Sequence, residues 1–307
     1  QWDGWRTLDE LPHSFNPASG HVASANRNPA RMRRLDEVFS TTRTFDLERF
    51  KQMQHDVVAT NAGRLVPLLA RVRSDRDEVE RARLQVLGWD RRMAIDSEPA
   101  TIYAAWEHRL LRLMAARRLD AALVDEFVSR AGGAVMAALL APSRTWFDGE
   151  VVGARDRLIA EAFAGAVGDL RRTGGPLDTG RAWGQRHRTT FRHVLGVKSS
   201  AAGRFNLGPF ATAGYGDTLM ATDGPKFEVT TGPSFGAVYD VRTWDRSVAQ
   251  NATGQSCSPA SPHYGDLATL WAAGDYFPLS FSDQAVQANA ESTLTLVPGE
   301  HQRYLTR

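Results

Sequence analysis

A single cysteine, Cys257, occurs in 307 residues, which excludes an intramolecular disulfide and any multi-cysteine zinc site. Lysine is almost as scarce: Lys51, Lys198 and Lys226 are the only three, and the rest of the positive charge is arginine. Acidic residues nearly cancel it, leaving a formal net charge of +2. In Arg71-Val72-Arg73-Ser74-Asp75-Arg76-Asp77-Glu78 the signs mix as on a solvated helix face, and no basic run is interleaved with aromatics. Nucleic acid is therefore not an expected partner. No apolar run approaches the roughly 18 to 20 residues of a spanning helix, and no charged-then-apolar leader opens the chain, so no membrane association is expected. No glycine-rich phosphate loop follows a strand, which argues against nucleotide binding. The chain also lacks an initiator methionine, and Gln1-Trp2-Asp3-Gly4-Trp5 enters aromatic sequence at once. That is the expectation for a piece processed or excised from a longer protein.

What is present suffices for a folded core, with 42% hydrophobic residues. Residues 1–29 are turn-rich, with Leu11-Pro12, Asn16-Pro17, Ser19-Gly20 and Asn28-Pro29 flanking one expected strand that ends at Asn26. Residues 30–195 carry helical periodicity. Leu47, Phe50, Gln54, Val57 and Val58 form one stripe; Ile102, Trp106, Leu110 and Leu113 form another after Pro99 at a helix start. Leu158, Ile159, Ala162, Phe163, Ala166, Val167 and Leu170 form a third, which Gly174-Gly175-Pro176 should stop. A last helix is expected to carry Trp183, His187, Phe191, Val194 and Leu195, with His187 packed on the apolar side. Residues 196–307 change texture. Phe227, Val229 and Thr231 alternate, as do Phe235, Ala237, Tyr239 and Val241, and Gly232-Pro233-Ser234 between them predicts a hairpin. Helix returns around Tyr264 to Ala273 and from Asp283 to Thr293. This order predicts an α+β protein with a helical insertion rather than regular βαβ units.

Residue chemistry by itself is thin. Gly232-Pro233-Ser234-Phe235-Gly236 matches the GxSxG elbow, which needs a serine on a tight strand-to-helix turn, but strand-like sequence follows it, as in a plain turn. Cys257 and His263 could pair as thiol and base, although two prolines make the intervening loop a poor frame. His187 and His193 lie on different helix faces, and nothing completes a metal site with them. Asn251-Ala252-Thr253 fits a glycosylation sequon that short sequences often produce by chance.

Three stretches are more telling. The chain from Leu11-Pro12-His13-Ser14-Phe15-Asn16-Pro17-Ala18-Ser19-Gly20 through His21-Val22-Ala23-Ser24-Ala25-Asn26 resembles the penicillin acylase (penicillin amidase) family. So do Trp183-Gly184-Gln185-Arg186-His187-Arg188 and Trp244-Asp245-Arg246-Ser247 through Gly254-Gln255-Ser256 to Ser261-Pro262-His263-Tyr264, with Asp275-Tyr276-Phe277-Pro278-Leu279 near the end. The resemblance implies part of an αββα N-terminal-nucleophile hydrolase sandwich. It also implies a precursor that cleaves itself into α and β chains, so that a serine becomes the new β-chain terminus, with this sequence starting well inside that β chain. A terminal serine can use its own α-amine as base; Gln1 cannot play that part. The expected partners are therefore the α chain and the N-terminal part of the β chain.

By the same resemblance, the asparagine that ends the first stretch, Asn26, contributes to an oxyanion hole, and Arg31 matches an active-site arginine at the start of the following helix, with Arg33 and Arg34 close by. The expected substrate is an acyl amide, such as the side-chain amide of a β-lactam or an N-acyl homoserine lactone. No cofactor is needed for the chemistry, and a periplasmic or secreted location is expected. Two departures stand out. Only Arg27, Asn28, Pro29 and Ala30 separate Asn26 from Arg31, where the family usually has a longer loop that often carries a calcium-ligating carboxylate. Structural calcium in the complete enzyme is thus left open. Gly236 stands where the family usually has arginine after Ser-Phe or Ser-Tyr, which loosens an internal ion pair. Two competing readings follow from the residues: a non-catalytic structural or binding fragment, and an independent serine hydrolase that uses Ser234.

Overall fold

Helix starts in this chain are written by their caps. At Pro29 the missing backbone N–H costs nothing in a first turn, and the Asn28 side chain accepts from the backbone N–H groups of Ala30 and Arg31 at 2.9 and 3.1 Å. Helix α1 accordingly runs Pro29–Thr41. Asp46 caps α2, Leu47–Gln54, by accepting from Arg49 at 2.8 Å. The computed structural model describes residues 4–11, 13–26, 28–174, 182–197 and 199–296, in two compact units divided between Pro233 and Ser234.

In the first unit, α3 (Ala62–Leu65) runs into a 3-10 turn at Val66–Arg71. Helix α4 (Asp77–Leu87) places Asp77, Glu78 and Glu80 in its first turn, where they complement the helix dipole. Helix α5 (Glu98–Ala116) starts at a Ser97 cap with Pro99 in its first turn. Helices α6 (Ala121–Leu140) and α7 (Val151–Gly174) follow. The core lies around α5, which packs against α4, α6 and α7. Tyr103, Trp106, Leu110 and Met114 of α5 are fully buried with Leu139, Phe147 and Ile159, and each large apolar side chain contributes about 1.5–3 kcal/mol by leaving water. All seven apolar residues expected along α7 are buried.

A short sheet closes this unit. After α8 (Trp183–Arg186), β1 (Arg188–Phe191) pairs antiparallel with β2 (Leu207–Ala211) and parallel with β3 (Glu228–Val229); α9 (Ala202–Phe205) lies between β1 and β2 in sequence. In the second unit, β4 (Phe235–Val238), β5 (Val248–Asn251) and β6 (Phe277–Pro278) form an antiparallel sheet in that order. Helix α10 (Asp266–Ala273) packs on β5, where Gln250 Nε2 donates to the Trp271 carbonyl at 3.2 Å. Gly274 ends α10 in the left-handed region at φ 77°, which glycine adopts without strain. Ser282 caps α11 (Asp283–Asn289).

Several sequence expectations need correction. Residues 21–25 form no strand, because no ladder partner lies beside them among the described residues. The stripe through Val57 and Val58 outlasts its helix: α2 stops at Gln54, and Val58 instead bridges Arg92. The helix expected through Leu195 is a single turn, after which the chain extends into β1. The hairpin across Gly232-Pro233-Ser234 does not form, since β3 pairs with β1 and β4 with β5. The last helix ends at Asn289, short of Thr293.

Candidate functional site

The start of α1 opens onto a cleft of about 540 Å³. Its lining includes Asn26, Asn28, Arg31 and Arg33 from the α1 approach, Asn61 and Arg64 beside α3, Glu107 and Leu111 of α5, Gly132, Gly133 and Met136 of α6, and Tyr215, Gly216, Asp217 and Asp223. Asn26 and Arg31, singled out by sequence, therefore meet at one place.

Local chemistry explains how. Asn26 sits in the left-handed region at φ 49°, which asparagine tolerates better than most residues. Two residues on, the Asn28 backbone donates to Ala25 O at 2.9 Å, closing the turn. The side-chain carbonyl of Asn28 caps α1, and its Nδ2 donates to Gly216 O at 3.3 Å. Arg31 is half-buried, and its Nε has no hydrogen-bond partner; the same holds for Nε of Arg33, whose Nη2 donates to Asn61 Oδ1 at 3.3 Å.

Three carboxyls form the floor. Glu107 is buried and accepts from the Tyr103 hydroxyl at 2.9 Å and from Tyr215. Burial, reinforced by the charge of Asp217, pushes its pKa up to about 8 against the pull of those two hydrogen bonds. Asp217 Oδ2 accepts from the Asn61 backbone at 2.7 Å, while Oδ1 is buried without a partner. Burial raises Asp217 to about 6, opposed first by backbone hydrogen bonds and then by Arg33. Asp223 is also raised by burial, opposed by its bond from Gly224 N. Two buried carboxyls in mutual range do not both ionise readily, and burial favours the protonated form of each.

Sequence reasoning missed Glu107, Tyr215, Asp217 and Asp223. The one available signal for Glu107 was an acid placed directly after Trp106 within a helix whose other residues are largely apolar. The other sequence candidates lie elsewhere. The GxSxG serine, Ser234, precedes strand β4 rather than a helix, so no elbow forms. Cys257 is exposed, and both ring nitrogens of His263 face carboxylates, Asp266 at 2.9 Å and Glu291 at 3.2 Å, so the histidine is not poised on the thiol. His187 is the packed core residue expected: it stacks on Trp183 at 4.4 Å between centroids and bonds Phe227 O and Thr222 Oγ1, both at 3.0 Å. His193 accepts from Leu195 N at 3.1 Å. Among the described residues no three His, Cys, Asp or Glu side chains are placed to hold a metal, and no helix is long and apolar enough to cross a membrane.

The described lining offers amide and guanidinium donors and carboxyls, but no serine, threonine, cysteine, lysine or histidine. Such a cleft can hold and polarise a substrate.

The penicillin amidase family model matches residues 1–288. The chain is 28% identical over 328 residues to the penicillin acylase 2 proenzyme of Pseudomonas sp. (strain SE83), covering 97% of this chain and 41% of that protein. It is 23% identical over 352 residues to the acyl-homoserine lactone acylase QuiP of Pseudomonas aeruginosa, covering 96% of this chain and 42% of the relative. Thermostable penicillin G acylase from Alcaligenes faecalis superposes with a TM-score of 0.65 at 16% identity, over 98% of this chain and 61% of that one. The chain thus spans about two fifths of the length of the curated relatives it matches.

Proposed function

The chain belongs to the penicillin amidase family, and from that premise we propose that it is part of an autoprocessed amidohydrolase that cleaves acyl amides through an acyl-enzyme. Its fold is the mixed helix and sheet of penicillin G acylase. The observation that carries the proposal is that Asn26 and Arg31 line one cleft.

In the proposed reaction, a serine at the terminus of an upstream segment attacks the amide carbonyl, and its own α-amine takes the hydroxyl proton. The carbonyl oxygen becomes an oxyanion. Asn26 Nδ2 donates to it, and Arg31 holds the site electropositive. Collapse breaks the C–N bond, the amine leaves with the proton held by the α-amine, and an acyl ester remains on the serine. Water then attacks that ester by the same route, releasing the carboxylic acid and restoring the hydroxyl.

The substrate in this reading is a small acyl amide, either a β-lactam side-chain amide or an N-acyl homoserine lactone, and the partners are the α chain and the early β chain of the same precursor. We place the protein in the periplasm or outside the cell. Calcium has no part in these steps: the 27–30 connection has no carboxylate, so a structural ion in the complete enzyme would draw its ligands from other segments.

The test is to express the complete precursor, determine the N-termini and masses of its chains, and assay hydrolysis of a chromogenic phenylacetyl amide. A partner chain that begins with serine, with activity tracking it, supports the proposal. A single unprocessed, folded and inactive protein sinks it in favour of a non-catalytic fragment.

A further inference from the structure

We infer that Glu107 is a positioning residue: through Tyr215 it fixes the Tyr215–Asp217 turn, from which Gly216 and Asp217 hold the segments that carry Asn26, Arg31 and Arg33. The inference rests on the reading of Asn26 and Arg31 as site residues.

The connections are continuous. Glu107 accepts from Tyr103 on its own helix and from the Tyr215 hydroxyl. The turn that follows is tied by Thr218, whose Oγ1 accepts from Tyr215 N at 2.9 Å and lies 2.6 Å from Met220 O. Two bonds leave this turn towards the cleft. Gly216 O accepts from Asn28, the residue that caps α1 and closes the turn behind Asn26. Asp217 Oδ2 accepts from Asn61 N, and Asn61 Oδ1 in turn receives Arg33. The Tyr215–Asp217 turn is therefore a common support for both sides of the cleft mouth, with Glu107 beneath it.

A second property follows from the same geometry. The groups that face Glu107 are Tyr103 on α5 and Tyr215, Asp217 and Asp223 on the segment beyond β2; Arg33 of α1 acts on Asp217. The cleft-lining residues of α6, Gly132, Gly133, Met136 and Ala137, add no charge. A proton on Glu107 keeps this buried cluster from holding adjacent negative charges. Loss of that proton sets Glu107 against Asp217, and the repulsion bears on the turn that supports Asn28 and Asn61.

The experiment uses the matured full-length enzyme with Glu107→Gln, which keeps the shape and a neutral acceptor oxygen, and Glu107→Leu, which removes it. Glu107→Gln should lower kcat less than Glu107→Leu does at neutral pH and should lack the alkaline decline that wild type shows as pH rises through about 8. Glu107→Leu should lower kcat about ten- to a hundredfold, the scale of a misplaced site, with a smaller change in KM. Amide exchange at Ala30 and Arg31, corrected for intrinsic rates, gives a readout independent of activity: it should quicken in Glu107→Leu and stay at the wild-type rate in Glu107→Gln. Superimposable wild-type and Gln pH profiles, or unchanged exchange in the Leu variant, overturn the inference while leaving the acylase reading intact. An inactive wild type defeats that reading instead, and the exchange data then decide whether Glu107 supports the turn.

Discussion

Asn28 and Gly216 are joined by a side-chain-to-backbone hydrogen bond of 3.3 Å across 188 residues of sequence. The other end of the same amide caps α1 on Ala30 and Arg31. One side chain thus does two separable things, starting a helix and fastening that start to the opposite side of the cleft. Asn28→Ala should cost about 1 kcal/mol through the lost cap and should also lower kcat. Asn28→Ser restores a capping oxygen but cannot reach as an amide donor, so stability should return while kcat stays low. Melting curves and steady-state kinetics on the complete enzyme check this; a serine variant with wild-type kcat would show that the tether is dispensable.

Asn26 is the oxyanion donor in the proposed reaction, and removing one such donor typically costs about 10²–10³-fold in kcat. Asn26→Ala should show that loss together with about 1 kcal/mol of destabilisation, because alanine is strained in the left-handed backbone that Asn26 adopts. Asn26→Gly should separate the two demands on the position, since glycine accepts the left-handed backbone but offers no donor. Activity near wild type in either variant would be inconsistent with the assigned role.

How much of this was legible in sequence depends on the range of the interaction that decides it. Caps and periodicity are local, so Pro99, the α7 stripe and the burial of His187 could be read directly. Asn26 and Arg31 were reached through a motif, and the cleft brings them together. Strand pairing is not local: the alternation at Phe227 to Thr231 does not reveal that Glu228 and Val229 pair with Arg188 and Thr189 rather than with the next strand. Glu107 was invisible for the same reason. A lone acid after Trp106 reads as the edge of a solvent face until the distant Tyr215 is folded over it.

His187 gives the first unit an acid limit. Burial, opposed by the hydrogen bond to Phe227, lowers its pKa to about 4 from the ordinary 6.5. Its neutral form is therefore favoured in the folded state, and the unfolded chain binds the proton more readily. The resulting stability is fully present above pH 6.5 and is lost progressively as pH falls towards about 4. His187→Gln should lower stability at neutral pH, because the stack on Trp183 is lost, yet should flatten the dependence between those limits. Melting temperatures across that interval decide it; equal slopes for the two proteins would mean that His187 does not control the acid limb.

Gly132 and Gly133 lie in the middle of α6, where each glycine costs about 0.5–1 kcal/mol relative to alanine. An added Cβ at Gly133 would meet nothing within 4 Å, and at Gly132 it would touch only Leu111 at 3.8 Å. Packing therefore does not demand glycine at position 133, which instead widens the cleft it lines. Gly133→Ala should raise stability by about 0.5–1 kcal/mol, with kcat and KM close to wild type. Gly133→Leu should keep that helix gain but project into the cleft and raise KM several-fold for a bulky acyl amide. The sign of the paired measurement carries the argument: a leucine variant that is more stable and binds substrate as well as wild type would remove the α6 side of this cleft from the substrate path.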